Sequence, residues 1–379
     1  MTVQFSDKTQ NYECTDCDGF CCRNGNRITV STKKKEQLLS LEAVRETLQE
    51  KNVAFSEYPL QADLWYLPIE ELNGKQRCAF LDKEDLCVIH NQHGHEAKPD
   101  ICKAYPFSYV EGQEEKQLAY TFQCKSIREN YGKPLAEVFI NDDQSFKGQL
   151  LPGKLPLRQI DEEECSQIDY LAVWEEVRKT FEETGTPEKV IIQHLTQING
   201  NFSQEAFHRS VPVLFSFFWN ISIFAEPVTS NFSKEWFQAF ETCLKKLDLK
   251  DQEMEREALN PAFWKSLQIY HQKVPFLLQD DRAEELLQRY FLHVIDRKIF
   301  LMKSPSLFLA LTSLLYCWEF IKLHTKILSI IAQEEAGVSK KSLEQAIIDT
   351  EGNFAFHKLA GENLYPQNIE KTILPLFIK

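Results

Sequence analysis

The stretch "ECTDCDGFCC", residues 13–22, places four cysteines within nine positions near the start of the chain. Two cysteines separated by two residues can both turn inward on one tight loop, as Cys14 and Cys17 would in a metal site. The Asp-Gly pair that follows lets the chain turn again and brings Cys21 and Cys22 back to the same neighbourhood. Adjacent side chains usually point in different directions, so Cys21 and Cys22 are not expected to have equal roles. Three interpretations are open for these sulfurs: metal ligands, disulfide partners or redox catalysts.

Two later motifs add further cysteines. In "CAFLDKEDLCVIH", residues 78–90, the pattern predicts a strand, a turn and a second strand, with one cysteine on each side of the turn. In "KPDICKAYPF", residues 98–107, Pro99 suits the first position of a helix. Cys102 would then lie in the first helical turn, where the positive end of the helix dipole favours a thiolate. The candidate metal ligands are the cysteines at or before residue 124, namely Cys14, Cys17, Cys21, Cys22, Cys78, Cys87, Cys102 and Cys124.

The N-terminus indicates a cytoplasmic location. "MTVQFSDKTQ" has no apolar core and no cleavage site, so it is not a signal peptide. In a reducing cytosol, clustered cysteines with short spacings favour metal binding over disulfides. A thioredoxin-like CxxC would need a surrounding βαβ pattern, which the neighbourhood of Cys14 lacks. Metal ligation is therefore the favoured interpretation, whereas Cys317, inside an apolar run, is expected to be a small buried side chain.

Charge and hydropathy argue against two classes of partner. The net charge of −13 disfavours non-specific binding to nucleic acid or to anionic membranes. The longest apolar runs, "VPVLFSFFW" (211–219) and "LFLALTSLLYCW" (307–318), are shorter than the roughly 18 residues of a membrane span. Both are expected to be buried helices. The expected partner is a protein, as a substrate or as a binding partner, and the oligomeric state is left open.

The predicted fold class is α+β, a small cysteine-rich metal-binding N-terminal domain followed by a mostly α-helical domain. Residues 1–140 form the first domain, and the Pro-, Gly- and acid-rich segment 141–165 is the predicted linker to the helical domain 166–379. In the first domain the patterns predict one helix, from Ser31 or Thr32 to Lys51. The predicted strands are 27–30, 64–69, 86–89 and 118–122. The predicted later helices are 170–183, 187–199, 211–224, 233–247, 283–300, 306–332 and 339–349.

Together the three cysteine motifs resemble the CxxCxxxCC family of zinc- or iron-chelating domains. That family combines CxxC, a CC pair, CxxL, CxI and a Pro-x-x-Cys-Arg/Lys-x-Tyr-Pro segment, and the match covers residues 12–107 with seven cysteines in order. The resemblance implies bound zinc or iron. His90 stands where the family commonly has an aromatic residue, and it is either an extra ligand or a histidine beside the ligands. His93 and His95 are weaker candidates in a loop.

The layout of the whole chain resembles that of flagellin lysine-N-methylases, with an N-terminal cysteine cluster and a helical remainder. The stretch "EELLQRYFLHVIDRKIF" (284–300), followed by a long apolar helix, is similar to their C-terminal half. This resemblance implies a protein lysine N-methylase with an iron–sulfur cluster and S-adenosylmethionine. Near the first cysteines the chain is closer to short stand-alone chelating domains, which leaves the substrate open. An acidic, aromatic-lined pocket would suit the sulfonium, and its candidate aromatics, each of which can equally be a core residue, are Trp174, Trp219 and Trp264.

No catalytic residue is indicated by the sequence. It contains no GxGxG-like loop after a strand, no radical-type CxxxCxxC order, no Gly-x-Ser-x-Gly elbow and no phosphate loop. The alternatives to an enzyme are a non-catalytic zinc-folded interaction module and a metal-handling protein. The sequence does not decide between them.

The number of cysteines bears on the choice between zinc and iron–sulfur. A tetrathiolate zinc site and a four-cysteine cubane cluster both have a charge of about −2, so nearby cations would suit either. Eight thiolates exceed the four that one zinc ion needs, which leaves two zinc sites or one iron–sulfur cluster ringed by further thiols. The lysine-methylase resemblance favours iron–sulfur. The cations closest to the cysteines in sequence are Arg23, Arg77, Lys98 and Lys103.

Overall fold

The fold is that of a computed structural model in which the chain divides into two compact units, residues 1–154 and 155–379. Short strands and short helices make up the first unit, and the elements of the second are helices, which confirms the predicted α+β class. The structure describes residues 3–5, 9–14, 19–23, 28–59, 61–111, 116–141, 152–154, 170–200, 202–211, 271–272, 274–297, 300, 306–332, 334 and 337–353.

The first unit contains no long element within its described residues. Its strands are β1 (Val3–Phe5), β2 (Asn11–Tyr12), β3 (Thr29–Ser31), β4 (Ser56–Glu57), β5 (Leu64–Tyr66), β6 (Ile69–Leu72), β7 (Lys75–Cys78), β8 (Phe107–Glu111), β9 (Lys116–Tyr120), β10 (Lys133–Pro134) and β11 (Pro152–Lys154). Its helices are α1 (Phe20–Arg23), α2 (Thr32–Ser40), α3 (Glu42–Glu50), α4 (Val88–His93), α5 (Asp100–Ala104), α6 (Lys125–Glu129) and α7 (Leu135–Asn141), with a 3-10 turn at His95–Ala97.

The strands pair into small sheets. In the largest, of order β1-β9-β8-β11, β8 and β9 form an antiparallel pair in which Phe107 lies opposite Tyr120. The outer strands β1 and β11 run parallel to their neighbours. A second sheet, β3-β5-β4, is antiparallel, as are the β6–β7 hairpin and the β2–β10 pair. The predicted strands 27–30, 64–69 and 118–122 are therefore confirmed with shifted ends, since 64–69 is divided between β5 and β6.

The predicted helix from Ser31 to Lys51 is interrupted, because α2 and α3 are separate helices. Ser31 caps α2 as predicted, since its hydroxyl accepts a hydrogen bond from Lys34 N at 3.2 Å. Leu41 is extended, with φ −80° and ψ 130°, and separates the two helices. The Arg45 guanidinium donates to the last two carbonyls of α2 at 3.0 and 2.9 Å, so the break leaves them hydrogen-bonded.

The predicted strand 86–89 is wrong, because this segment begins helix α4. Asp82 accepts hydrogen bonds from the backbone N–H groups of Glu84 and Leu86, both at 2.9 Å, and closes a tight turn. Strand-like pairing after the turn is limited to the isolated bridge of Leu81 with Cys87. The chain then enters α4, with Cys87 as its N-cap residue. The motif at 78–90 is thus a strand, a turn and a helix.

Three of the predicted ligands border the hydrophobic core of the first unit. Cys78, Cys87 and Cys102 are partly buried and pack against this core. Their sulfurs therefore face a low-dielectric environment on at least one side. The core consists of Val30, Leu38, Val44, Leu67, Phe80 and Ile89.

A buried polar network joins the segment before Cys14 to the helix after Cys124. The amide nitrogen of the buried Gln10 side chain donates to Ile127 O at 3.0 Å and to Asn130 Oδ1 at 3.1 Å. Asn130 Oδ1 also accepts from the backbone N–H of Asn11 at 2.8 Å. These bonds satisfy buried groups at both ends and hold β2 against α6. Two of the predicted ligands, which are far apart in sequence, are thereby brought to the same region.

Part of the predicted linker 141–165 belongs to the first unit. Within it the structure describes Asn141 and residues 152–154, and the latter form β11, which pairs with β8. The remaining linker residues lie outside the described ranges. The predicted domain limits at 140 and 166 stay predictions.

The second unit is helical in its described residues. Its long helices are α8 (Tyr170–Thr184), α9 (Glu188–Ile198), α10 (Asp281–Asp296), α11 (Leu307–Ile331) and α12 (Lys340–Asn353), and residues 204–211 are also helical. They confirm five of the predicted helices, whereas the predicted helix 233–247 and residues 212–224 lie outside the described ranges. The ring centroids of Phe181, Phe291 and Trp318 lie 4.8–5.7 Å apart, so α8, α10 and α11 meet at an aromatic core.

Trp174 belongs to this core, which answers one of the questions raised by the sequence. It is 1% exposed, and its indole N–H donates to Ile295 O at 2.8 Å. A buried indole with its donor paired to backbone is a packing residue and not a surface for a cofactor. The two other tryptophans suggested for a cofactor pocket, Trp219 and Trp264, lie outside the described residues.

Helix α11 contains the one described segment, Leu307–Ser329, that is long and apolar enough to cross a membrane. Of its most apolar 18-residue window, 89% is buried inside the structure. The core helix of a soluble protein passes the same test of length and composition. The sequence predicted a buried helix here, and the burial of this segment agrees with that expectation.

Candidate metal centre

Seven of the eight predicted ligands lie in described residues, and each is at or near the end of a short element. Cys14 follows β2, Cys21 and Cys22 lie in α1, and Cys78 ends β7. Cys87 and Cys124 are the N-cap residues of α4 and α6, and Cys102 lies in the first turn of α5. All seven are free thiols. Cys17 lies outside the described residues.

The seven thiols lie in one region of the first unit and interact through Cys21 and Cys22. The Sγ atoms of Cys21 and Cys22 are 3.8 Å apart, close to the spacing of about 3.8 Å that two thiolates have on one tetrahedral zinc ion. Cys22 is also hydrogen-bonded to the Cys78 side chain. Cys21 interacts electrostatically with the four remaining thiols, Cys14, Cys87, Cys102 and Cys124.

The thiols converge without forming a finished ligand set. In the part of the chain that the structure describes, no group of three or more His, Cys, Asp or Glu side chains is arranged to hold a metal ion. The assignment of individual cysteines as ligands therefore stays a prediction. What the structure shows is proximity, because the chain brings cysteines from positions 14 to 124 into mutual electrostatic contact.

Burial keeps several of these thiols protonated at neutral pH. Burial raises the pKa of Cys102 and that of Cys124, each to about 12. The hydrogen bond with Cys22 and burial raise the pKa of Cys21 well above its ordinary value. The position of Cys102 at the start of α5 was expected to favour its thiolate form. Burial has the larger effect, because the pKa of this thiol is raised overall. A metal must displace these protons when it binds.

At two cysteines, the backbone amides of a helix N-terminus partly offset the effect of burial on the thiol pKa. The backbone amides of His90 and Ile89 favour the thiolate form of Cys87, although burial raises its pKa overall. The amides of Ile127 and Ser126 have the same effect at Cys124. Both sulfurs therefore lie where the first amides of a short helix can support a negative charge.

Three of the four cations expected near the centre are paired with carboxylates. Arg77 contacts Glu70 at 2.6 Å and Asp85 at 2.8 Å, and Arg23 contacts Asp85 at 3.6 Å. The ammonium of Lys103 lies 3.4 Å from Glu96 and 3.3 Å from its i−3 neighbour Asp100. Carboxylates therefore already neutralise these three cations.

Lys98 differs from these three because its electrostatic partners are sulfurs. It is only 9% exposed, and no described ion pair joins it to a carboxylate. Burial opposes its charge, but electrostatic interaction with Cys14, Cys102, Cys87 and Cys21 outweighs this effect and raises its pKa. The ammonium is therefore favoured when the sulfurs are charged. The sequence named Lys98 as one of four equivalent cations, and the structure separates it from the others.

His90 lies beside the thiols, as the sequence suggested. Burial and the charge of Lys98 lower its pKa, while Cys14 raises it, so the half-buried imidazole is favoured in its neutral form. Its ring centroid is 5.8 Å from that of His95. His93 is exposed at the end of α4. A neutral imidazole near Cys14 is available as a ligand or as a hydrogen-bond partner of the sulfurs.

Tyr12 is a neighbour of the centre that sequence reasoning missed. Its hydroxyl is hydrogen-bonded to Cys14, and burial together with Cys14 and Cys124 raises its pKa well above the ordinary value. A neutral tyrosine can donate to a thiolate and orient it. The sequence offered one sign of this role, the position of Tyr12 two residues before the first cysteine. A tyrosine that only packs in the core could occupy the same position.

Gly19 allows the first cysteine loop to approach the turn between Cys78 and Cys87. It has φ +65°, and a Cβ at this position would overlap the carbonyl oxygen of Asp85. Its own carbonyl accepts from the N–H groups of Cys22 at 2.8 Å and Arg23 at 2.9 Å, which starts α1. Only a residue without a side chain fits both the conformation and the contact.

We expect Gly19→Ala to displace the first loop and to remove most of the bound metal. The overlap with the Asp85 carbonyl adds to the backbone cost of a left-handed alanine, which is about 1–2 kcal/mol. The matched control is Gly74→Ala, because Gly74 has φ +74° but has nothing within 4 Å of the added Cβ. Metal content and thermal unfolding of both purified variants give the measurement. Equal metal content in the two variants would contradict the proposed contact.

Comparison with known proteins identifies the region that contains the cluster. The family model of the CxxCxxCC putative zinc- or iron-chelating domain matches residues 13–125. In this chain three residues, not two, separate Cys17 from the Cys21–Cys22 pair. No curated protein and no solved structure shows a significant match. The matched residues 13–125 hold all eight candidate ligands, so the part of the chain that is similar to a zinc- or iron-chelating domain is the part that contains the thiols.

Proposed function

We propose that the thiol cluster holds an iron–sulfur cluster, so that the protein is an iron–sulfur protein of the chelating-domain family. The observation that carries this proposal is the proximity of seven thiols, which interact through Cys21 and Cys22, with Cys17 as an eighth candidate in the same loop. A single zinc ion takes four ligands and would leave the other thiols unused. An iron–sulfur cluster takes four thiolates, and its reduction potential depends on further groups around it.

The donor set fits a thiophilic metal. Thiolates select zinc, copper(I) and iron–sulfur clusters, whereas magnesium and calcium require oxygen ligands. Two carboxylates near Cys78, those of Asp85 and Glu70, are ion-paired with Arg77. The residues that would hold the metal are Cys14, Cys17, Cys21, Cys22, Cys78, Cys87, Cys102 and Cys124. A bound iron–sulfur cluster would supply electron transfer or a site for S-adenosylmethionine.

The identity of the metal is the first prediction of this function. Protein purified without oxygen should contain iron and acid-labile sulfide and should show the broad visible absorption of an iron–sulfur cluster. Iron, sulfide and zinc analysis of the same sample, with an optical spectrum before and after reduction, gives the measurement. Two zinc ions per chain with no iron would reject the iron–sulfur proposal and favour two zinc sites.

Cys21 and Cys22 should differ in their effect on metal content. Cys21 interacts with thiols on several sides, whereas the described partners of Cys22 besides Cys21 are Cys78 and Cys102. We expect Cys21→Ser to abolish metal binding and Cys22→Ser to retain part of it. Metal analysis under identical anaerobic purification measures this difference. Cys317→Ser is the matched control, because Cys317 is a buried thiol of the second unit and should not affect metal content.

Protein lysine N-methylation is the more specific activity that we propose for this centre. Its support is the layout of the chain, a cysteine-cluster unit followed by a helical unit. We expect the metal-loaded protein to bind S-adenosylmethionine in an isothermal titration and to methylate lysines of a co-expressed protein, detected by mass spectrometry. The metal-free protein is the control. Absence of both binding and methyl transfer would favour the non-catalytic interaction module or the metal-handling protein.

A further inference from the structure

The sequence contains three Asn-Gly pairs, at residues 24–25, 73–74 and 199–200. In such a pair the backbone nitrogen of the glycine can attack the side-chain carbonyl of the asparagine, because no glycine side chain shields that nitrogen. The first pair lies outside the described residues. The structure gives the other two pairs different surroundings, and this difference determines which asparagine can react.

Asn73 and Gly74 form the two-residue loop of the β6–β7 hairpin. Leu72 lies opposite Lys75 in the ladder, so both loop residues project beyond the last pair, and both are exposed. Their φ angles of 54° and 74° are positive, as a type I′ turn requires. Within the described part of the chain, neither the Asn73 carbonyl nor the Gly74 N–H makes a hydrogen bond. The peptide unit between these two residues can therefore rotate without the loss of a bond.

Asn199 and Gly200 follow helix α9 and are held in place by hydrogen bonds. Asn199 is half-buried, and its N–H donates to Leu195 O at 2.9 Å. Its carbonyl accepts from the Phe202 N–H at 2.8 Å, which fixes the peptide unit that contains the Gly200 nitrogen. A Cβ added at Gly200 would meet nothing within 4 Å, as at Gly74. Steric access to the glycine is thus equal in the two pairs, and they differ in the exposure of the asparagine and in the freedom of the peptide unit.

We propose that Asn73–Gly74 is a site of spontaneous deamidation, at which water converts the asparagine to isoaspartate and aspartate. The Gly74 nitrogen forms a bond to Cγ of Asn73 and gives up its proton to solvent, while the side-chain amide nitrogen takes up a proton and leaves as ammonia. Water then opens the resulting succinimide ring. Opening at the backbone carbonyl gives isoaspartate, and opening at the former side-chain carbonyl gives aspartate. Each conversion consumes one water and releases one ammonia, with no oxidation or reduction, and it does not depend on a bound metal.

Isoaspartate should alter the hairpin more than aspartate does. It routes the main chain through the former side chain, which adds a methylene to a loop whose two residues must match the twist of the strands. The ladder pairs nearest the loop, Leu72 with Lys75 and Glu71 with Gln76, should open first. Two variants separate charge from backbone. Asn73→Asp has the new charge on an ordinary backbone, and Asn73→Gly suits the same turn but cannot react.

The test is peptide mapping of the full-length chain by mass spectrometry during incubation in mildly alkaline buffer. Replacement of the side-chain amide by a carboxylate gives a characteristic mass increase at each asparagine. We expect Asn73 to deamidate roughly 3- to 10-fold faster than Asn199 in the native chain, a factor that corresponds to the net contribution of one backbone hydrogen bond. In urea that unfolds the chain, the two rates should become nearly equal, because the fold then holds neither pair.

Hydrogen exchange on the aged protein tests the effect on the hairpin. Amides of β6 and β7 should exchange faster in the isoaspartate-containing fraction than in Asn73→Gly, because the longer loop weakens the ladder. Asn73→Asp should exchange as Asn73→Gly does.

Three results would overturn the proposal. The first is an intact Asn73 after prolonged incubation, or a native rate no faster than that of Asn199. The second is a rate difference that persists in urea, which would assign it to the flanking sequence and not to the fold. The third is equal exchange in the isoaspartate fraction, Asn73→Asp and Asn73→Gly, which would reject the effect on the hairpin.

Discussion

The contact between Gly19 and Asp85 is the constraint on which the cysteine cluster depends. The carbonyl of Asp85 lies against Gly19, while its carboxylate is bound to Arg77 and Arg23. One residue therefore joins the first cysteine loop to β7 and to the turn that precedes Cys87. Without this contact, the loop of residues 14–22 would lose one of its attachments to the segment that contains Cys78 and Cys87.

The same arrangement buries the thiols and so affects how a metal can bind. The thiols are buried near a small core, and burial raises the pKa of Cys102 and Cys124 to about 12, so they are neutral in the absence of metal. A metal ion that binds here would replace the protons and cross-link short elements that have little core of their own. We therefore expect metal binding and folding of this region to be coupled.

The sequence predicted the parts of the structure that depend on local chemistry. The spacing of apolar residues, the capping residues and the helix-breaking residues were enough to predict the α+β class and the Ser31 cap. They also predicted strands near residues 29, 64 and 118 and five long helices. The strand at 86–89 was wrong because the side chain of Asp82 closes a turn that places Cys87 at a helix start. The break at Leu41 was missed because no glycine or proline marks it in the sequence. The difference between Lys98 and Lys103 depends on the groups that surround each side chain in the fold. The approach of the cysteines was predicted from spacing, whereas their individual roles were not.

The second unit contrasts with the first in the source of its stability. Its described helices bury Trp174, Phe181, Phe291 and other large side chains in a core of their own. Charged groups inside this unit are paired with protein groups, as in the contact of Glu319 with His271 at 2.8 Å. Burial tends to raise the pKa of Glu319, but its bonds to His271 and Lys322 outweigh this and hold it at about 2. Any dependence of folding on metal is therefore expected in the region that contains the cysteines.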